Sequence, residues 1–246
     1  MQEVICGKNP VKEALKAKRP INKIFIGKYK GKDAAIDRII ELAKSAGIPY
    51  SWADNYTLQK YAKFNQGVVA IASAKGYSDF WEFLEDAKSK NEPPFILILD
   101  SLEDPQNFGA IIRTADASGV HGIIIPKNRA VGVTTTISKT SAGAIEHVKV
   151  ARVANLSSTI NELKENGLWI VGIDALGGCK LSEVDYTMPL AIVIGGENKG
   201  ITPLVRSRCD YMVRIPMRGK IPSLNASVAA ALIMYEAYRK RKPGKF

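Results

Sequence analysis

Six short, predominantly apolar and β-branched runs, at residues 95–99, 122–125, 148–153, 169–173, 190–194 and 212–215, restrict this chain most. A strand with one wet face would alternate apolar and polar residues; runs this continuous belong to strands buried on both faces. Segments with helical spacing separate them. Buried strands alternating with helices define an α/β domain on a mainly parallel sheet. In such sheets ligands bind at the C-terminal ends of strands, so the residues directly after each run are where chemistry belongs.

The chain ahead of residue 95 reads differently. Residues 10–17 have a helical pattern, 23–26 an extended one, 33–46 an amphipathic helical one ended by Gly47, and 68–72 an extended one. That is a small α/β module. A further amphipathic helix spans 80–90 and is broken by Asn91-Glu92-Pro93-Pro94. The expected organisation is a first domain over 1–73, a linker with a short helix over 74–94, and the sheet domain over 95–246. No internal repeat is present, and the only biased tract is the basic run Arg239-Lys240-Arg241-Lys242.

The charge balance, 35 Lys and Arg against 24 Asp and Glu, gives a net charge of +11 and implies a polyanionic partner. It is uneven: residues 1–73 carry 13 basic and 6 acidic side chains, or +7. Cys6, Cys179 and Cys209 form an odd set without metal-ligand spacing, which suits reduced thiols in a cytoplasm. No apolar run approaches the length of a membrane span, and residues 1–8 lack a signal-peptide core, so a cytosolic protein is expected.

Three segments follow apolar runs and concentrate polar residues. In the first, from Asp100 to Arg113, Asn107 is placed to cap a helix, and Arg113 lies close to two turns further on. In the second, Ile194-Gly195-Gly196-Glu197-Asn198-Lys199-Gly200, the paired glycines permit close approach to the backbone, by a ligand or simply by a tight turn. Thr202-Pro203 then signals a helix start. The segment matches neither the dinucleotide fingerprint nor a phosphate loop. In the third, from Ile215 to Ser227, Ser223 or Asn225 can cap an Ala-rich helix. Each segment has a purely structural reading; together they place amides, hydroxyls, one Arg and one Glu at strand ends of one domain. His121 and His147 have no metal-ligand spacing, so neither a metal site nor histidine nucleophilic catalysis is expected.

Asn107-x-Gly109-x-x-x-Arg113, Gly195-Gly196-Glu197-x-x-Gly200 and Ser223-Leu224-Asn225-x-Ser227 resemble, in order and spacing, the three signature motifs of the SpoU branch of the SPOUT RNA methyltransferases. Gly7-Lys8-Asn9-Pro10-Val11 and Gln66-Gly67-Val68-Val69-Ala70 resemble that family's N-terminal RNA-binding domain, so the resemblance spans the chain. The type it most resembles acts on a guanosine ribose of bacterial 23S rRNA. Gln106 and Asn65 depart from the pattern, which has His at both positions, and this bears on RNA specificity.

The resemblance implies an α/β fold whose C-terminal parallel sheet carries a deep trefoil knot, a homodimer through that domain, and S-adenosyl-L-methionine as cofactor without a metal. Gly195, Gly196, Ile215, Ser223, Leu224 and Asn225 would hold the donor. Arg113 would act on the ribose 2′-hydroxyl, as base or by binding the adjacent phosphate, with Asn107, Glu197, Ser223 and Asn225 keeping the site in register. A guanidinium is a poor base, which favours the phosphate role. Lys8, Lys12, Arg19 and Lys23 would contribute RNA contacts. The alternatives are a tRNA ribose methyltransferase of the same branch and a non-catalytic RNA-binding or assembly protein.

Overall fold

The computed structural model describes residues 2–28, 32–128, 130–175, 177–197, 199–220 and 223–242. Of the motif segments, Asn198, Ile221 and Pro222 lie outside the described residues. The first elements are β1 (Gln2–Cys6), α1 (Lys8–Lys16), β2 (Ile21–Gly27), α2 (Ala34–Ser45), β3 (Tyr50–Ala53), α3 (Asn55–Tyr61) and β4 (Val68–Ser73). After them come α4 (Trp81–Ser89), β5 (Phe95–Asp100), α5 (Pro105–Ser118), β6 (Gly122–Pro126), α6 (Thr135–Thr140), β7 (Val150–Val153) and α7 (Leu156–Glu165). The chain closes with β8 (Trp169–Ile173), β9 (Cys179–Lys180), β10 (Leu190–Gly195), α8 (Pro203–Arg206), β11 (Tyr211–Arg214) and α9 (Ala226–Arg241). It divides into two compact units, residues 1–76 with 132–147, and 77–131 with 148–246.

The first unit is a four-stranded sheet in the order β1-β4-β2-β3, antiparallel except for the β2/β3 pair. Ile24, Ile26, Val68 and Ala70 from its strands meet Val11, Ala14, Ile36 and Ile39 from α1 and α2 in one buried cluster. Asp33 caps α2 by accepting from the amides of Ala35 and Ile36, and Asp54 caps α3 through the amide of Thr57. Residues 132–147 belong to this unit although the sequence places them between two strands of the other. Their α6 lies against β1, and Glu146 reaches Arg19.

The second unit carries a seven-stranded sheet in the order β7-β6-β5-β10-β8-β11-β9, with every pair parallel. All six apolar runs are strands, and the two-residue β9 is added at an edge. Every residue of β5 is buried, as two-sided cover requires. The short helix over the expected linker is part of this unit's core: Phe80 and Phe83 pack with Ile96, Ile98 and Ile124. From β5 the chain builds outward through β6 and β7, then crosses to β8, and β10 inserts between β5 and β8. Strand order therefore reverses at β5 and β10, the place where an open parallel sheet forms a crevice at its C-terminal edge.

The basic run at the end of α9 is partly structural. Arg241 donates Nε to the carbonyl of Tyr186 (2.7 Å), Nη1 to that of Pro93 (2.6 Å) and Nη2 to those of Met188 (2.7 Å) and Pro94 (3.1 Å). Burial pulls its pKa down to about 10. No helix among the described residues is long and apolar enough to cross a membrane.

Candidate active site

The turn after β5 begins the site. Asp104, not Asn107, caps α5: its carboxylate accepts from the amides of Gln106 and Asn107, and Pro105 fills the first helical position. The expected capping role of Asn107 is thus corrected. A cap stands at the outer end of a helix, whereas Asn107 lies one turn inside and is buried.

That burial is satisfied by the other two motifs. Asn107 donates Nδ2 to Glu197 Oε1 at 2.6 Å and accepts at Oδ1 from Asn225 Nδ2 at 2.9 Å. Asn225 in turn accepts at Oδ1 from the amides of Ser227 (2.9 Å) and Val228 (3.4 Å) and from the Ser227 hydroxyl (2.6 Å). Because Glu197 accepts from Nδ2, the Asn107 amide presents its oxygen to Asn225, and the two bonds fix both side chains. Three turns distant in the chain are thereby joined, and the last link caps α9.

The glycine pair of the second motif answers first to protein backbone. A Cβ on Gly195 would lie 2.1 Å from the carbonyl carbon of Gly200, and one on Gly196 would lie 2.1 Å from the carbonyl oxygen of Ser101. The Gly196 amide donates to the Asp100 carbonyl at 2.8 Å. Asp100 is a residue that sequence reasoning missed. Its buried carboxylate accepts from both the amide and the hydroxyl of Thr202 at 2.7 Å, tying the end of β5 to the loop after β10. Thr202 precedes Pro203 at a helix start as expected, but its hydroxyl serves Asp100 rather than the helix.

A cleft of about 290 Å³ opens above β8, β10 and β11, near the small end of the range for ligand sites. Of the residues expected to hold the donor, Gly195, Gly196, Ile215, Ser223 and Leu224 line it and Asn225 does not; Glu197 lines it as well. Sequence reasoning missed Ile173, Asp174 and Met217 in the same wall. Asp174 follows the end of β8 and forms an ion pair with Arg206 of α8. Its position after an apolar run was the available signal. The cleft lining combines apolar side chains with two carboxylates, Asp174 and Glu197.

Arg113 is not among the cleft-lining residues. It lies on the solvent side of α5, while Asn107, Phe108, Ile111 and Ile112 face inward. Among the described residues its guanidinium has no acidic partner, so pairing with a surface acid does not account for it. Ring nitrogen Nδ1 of His121 accepts from the Phe95 amide at 3.0 Å, and His147 meets Glu13 at 3.1 Å.

In the first unit, Lys8 pairs with Asp33 at 2.6 Å, Lys12 lies 3.6 Å from Glu13, and the Lys23 ammonium sits 4.9 Å from the centre of the Phe25 ring. Arg19 is corrected as an RNA contact. Its guanidinium is buried, bonded to Glu3, to Glu146 at 2.6 Å and to the Ser73 carbonyl at 2.8 Å, so none of its charge faces outward. Asn65, one of the departures from the family pattern, holds a turn: it accepts from the Gly67 amide and donates to the Ala62 carbonyl, both at 2.9 Å.

A strand-end cleft bordered by a Glu-Asn-Asn relay, on a parallel sheet that follows a basic module in the chain, defines an enzyme of the RNA-methylating class. Residues 94–235 match the SpoU rRNA Methylase family, and residues 4–78 match the RNA 2′-O ribose methyltransferase substrate binding family. The chain belongs to the SpoU methylase family and is an RNA 2′-O-methyltransferase of the SpoU/TrmH type, with S-adenosyl-L-methionine as its cofactor. YacO of Bacillus subtilis strain 168, assigned to the TrmH family of tRNA/rRNA methyltransferases, is 50% identical over 242 residues, 98% of this chain and 97% of that protein. A Staphylococcus haemolyticus protein of the same assignment is 47% identical over 97% of this chain and 96% of its own. Among solved structures, the SpoU methyltransferase AviRb from Streptomyces viridochromogenes, in complex with AdoMet, superposes with a TM-score of 0.82 at 26% identity, over 99% of this chain and 92% of that one.

Proposed function

We propose that this enzyme methylates the ribose 2′-hydroxyl of a guanosine in 23S rRNA. The observation that carries the methyl-transfer part of the reading is the relay Glu197–Asn107–Asn225, which joins the three motifs beside the cleft. A donor sulfonium supplies an activated methyl group and its own leaving group, so the protein has mainly to position the acceptor and manage one proton. Ile215, Met217 and Leu224 supply apolar surface suited to an adenine, and the Gly195-Gly196 backbone, packed against Gly200 and Ser101, contributes to the same lining. Asn225 caps the near end of α9, and Ser223 just before it lines the cleft.

Arg113 binds the phosphate next to the acceptor ribose and lowers the pKa of its hydroxyl. Its place outside the cleft lining of a single chain is what a site completed by a second copy would produce. A homodimer is supported by α9, which buries Ala230, Ile233, Met234 and Ala237 on one side and leaves Val228, Leu232 and Tyr235 exposed on another, continuing the line of Leu224. A deep knot in the sheet domain is what the family resemblance implies; the close approach of Gly177 to Val213, 2.5 Å from a Cβ to its carbonyl carbon, belongs to the pairing of β9 with β11.

The ribosomal target rests on the substrate module. The A. aeolicus TrmH/SpoU tRNA modifying enzyme matches 65% of this chain with a TM-score of 0.55, against 99% for AviRb. Transfer from labelled donor to total RNA, followed by mapping of the methylated nucleotide, tests the target; label confined to tRNA would replace it. Arg113→Ala is expected to lower turnover by about 10²- to 10³-fold while donor affinity, measured by calorimetry, stays unchanged.

A further inference from the structure

The first unit presents aromatic rings to solvent in a pattern that its core does not explain. Helix α3 buries only Leu58, and Tyr56 on its outer side is 70% exposed. Phe64, in the turn that follows, is 68% exposed. That turn is fixed: Asn65 is buried and bonded to both the Ala62 carbonyl and the Gly67 amide, so Phe64 is held outward rather than left loose.

Each ring carries a cation. The Lys60 ammonium lies 4.6 Å from the centre of the Tyr56 ring, and those of Lys63 and Lys139 lie 5.8 Å and 5.1 Å from that of Phe64. Lys139 comes from α6, in the segment 132–147 that belongs to this unit. No acidic residue occurs between positions 55 and 73. Rings at this exposure forfeit the gain of burial, and a lysine over a ring at a wet site recovers only a small part of it.

Flat apolar faces with adjoining cations match one ligand chemistry well: nucleotides whose bases are unstacked and free to lie on a ring, with their phosphates beside an ammonium. A paired helix hides its base faces and would engage the lysines alone. We propose that Tyr56 and Phe64, with Lys60, Lys63 and Lys139, form a stacking surface for unpaired RNA nucleotides, so that the enzyme selects its substrate at a loop or junction. This deepens the RNA methyltransferase reading and rests on it. It also moves the RNA contact away from Arg19, which is buried among carboxylates.

The test measures binding of the full chain, by fluorescence anisotropy, to a labelled RNA hairpin with an unpaired loop and to the same stem closed as an uninterrupted duplex. The hairpin is expected to bind more tightly. Phe64→Ala and Tyr56→Ala should each weaken hairpin binding by roughly 5- to 150-fold and leave duplex binding unchanged. Phe64→Trp, which keeps a ring, should retain hairpin affinity. Lys60→Gln with Lys63→Gln should flatten the dependence of log affinity on log salt by about 0.7 per lysine. Equal binding of hairpin and duplex, or ring variants that bind the hairpin like the wild type, overturns the proposal. Methyl transfer is read separately: loss of hairpin binding in Phe64→Ala, in a protein whose wild type transfers no methyl to RNA, would sink the catalytic reading and leave the stacking surface standing.

Discussion

In the first unit a guanidinium, Arg19, is buried between two carboxylates; in the sheet unit an amide, Asn107, is buried between a carboxylate and a second amide. The Arg19 cluster is closed. Glu3 and Glu146 are themselves largely buried, and Lys75 joins through the Ile145 carbonyl with its own pKa pushed down by burial. The Asn107 relay is open. Glu197 and Asn225 at its two ends are exposed, and Glu197 lines the cleft. Charge sealed from solvent organises a fold, while a neutral link with wet ends can hold groups at a surface where a substrate arrives.

The largest break in this contrast comes from Arg19→Met. Two buried carboxylates would lose their cation, costing about 3–5 kcal/mol of stability in urea unfolding. A loss under about 1 kcal/mol, the range of exposed pairs, would show that the cluster is not sealed. Asn107→Ala should behave in the opposite sense. Its exposed partners can turn to water, so stability falls by only about 1 kcal/mol, the low end for an unpaired group, while methyl transfer falls by at least about tenfold. A variant whose transfer rate followed its stability alone would remove the distinction.

The smallest effect sharpens the comparison with a single buried titratable group. His121 has its pKa lowered, first by burial and then by Lys90, against the pull of Glu92. Its neutral ring accepts from the Phe95 amide, a bond that protonation at Nδ1 would remove. The folded value lies below the ordinary 6.5, so the unfolded chain takes up the proton first as pH drops. Stability should hold above pH 6.5 and decline below it, by no more than about 1.4 kcal/mol per pH unit until the folded value is passed. His121→Gln should flatten that decline in thermal melts across the same interval.

Legibility differed between the two units for a physical reason. Strands β5, β6, β8 and β10 are buried on both faces, so composition alone revealed them. In the first unit β1 and β3 went unread: β1 carries Gln2 and Glu3, and β3 is a four-residue edge strand with Trp52 half exposed. The three motifs were legible as a set, and one residue from each, Asn107, Glu197 and Asn225, is joined by hydrogen bonds. Asp100 and Asp174 carried one signal, their place directly after an apolar run, but it could not tell a buried or cleft-lining carboxylate from a solvated one; Met217 carried none.

Amino-acid order alone determined the parallel sheet, the basic first module and which three turns carry polar residues, since these depend on hydrophobic period and local turn chemistry. Which way a polar side chain faces was decided only when remote segments packed. Asn107 became a buried link because the loop after β10 and the start of α9 arrive beside it; Arg19 became a structural cation because Glu146 returns from far along the chain. Burial and pairing are properties of neighbours in space, and for these residues the neighbours are more than a hundred positions away or close to it.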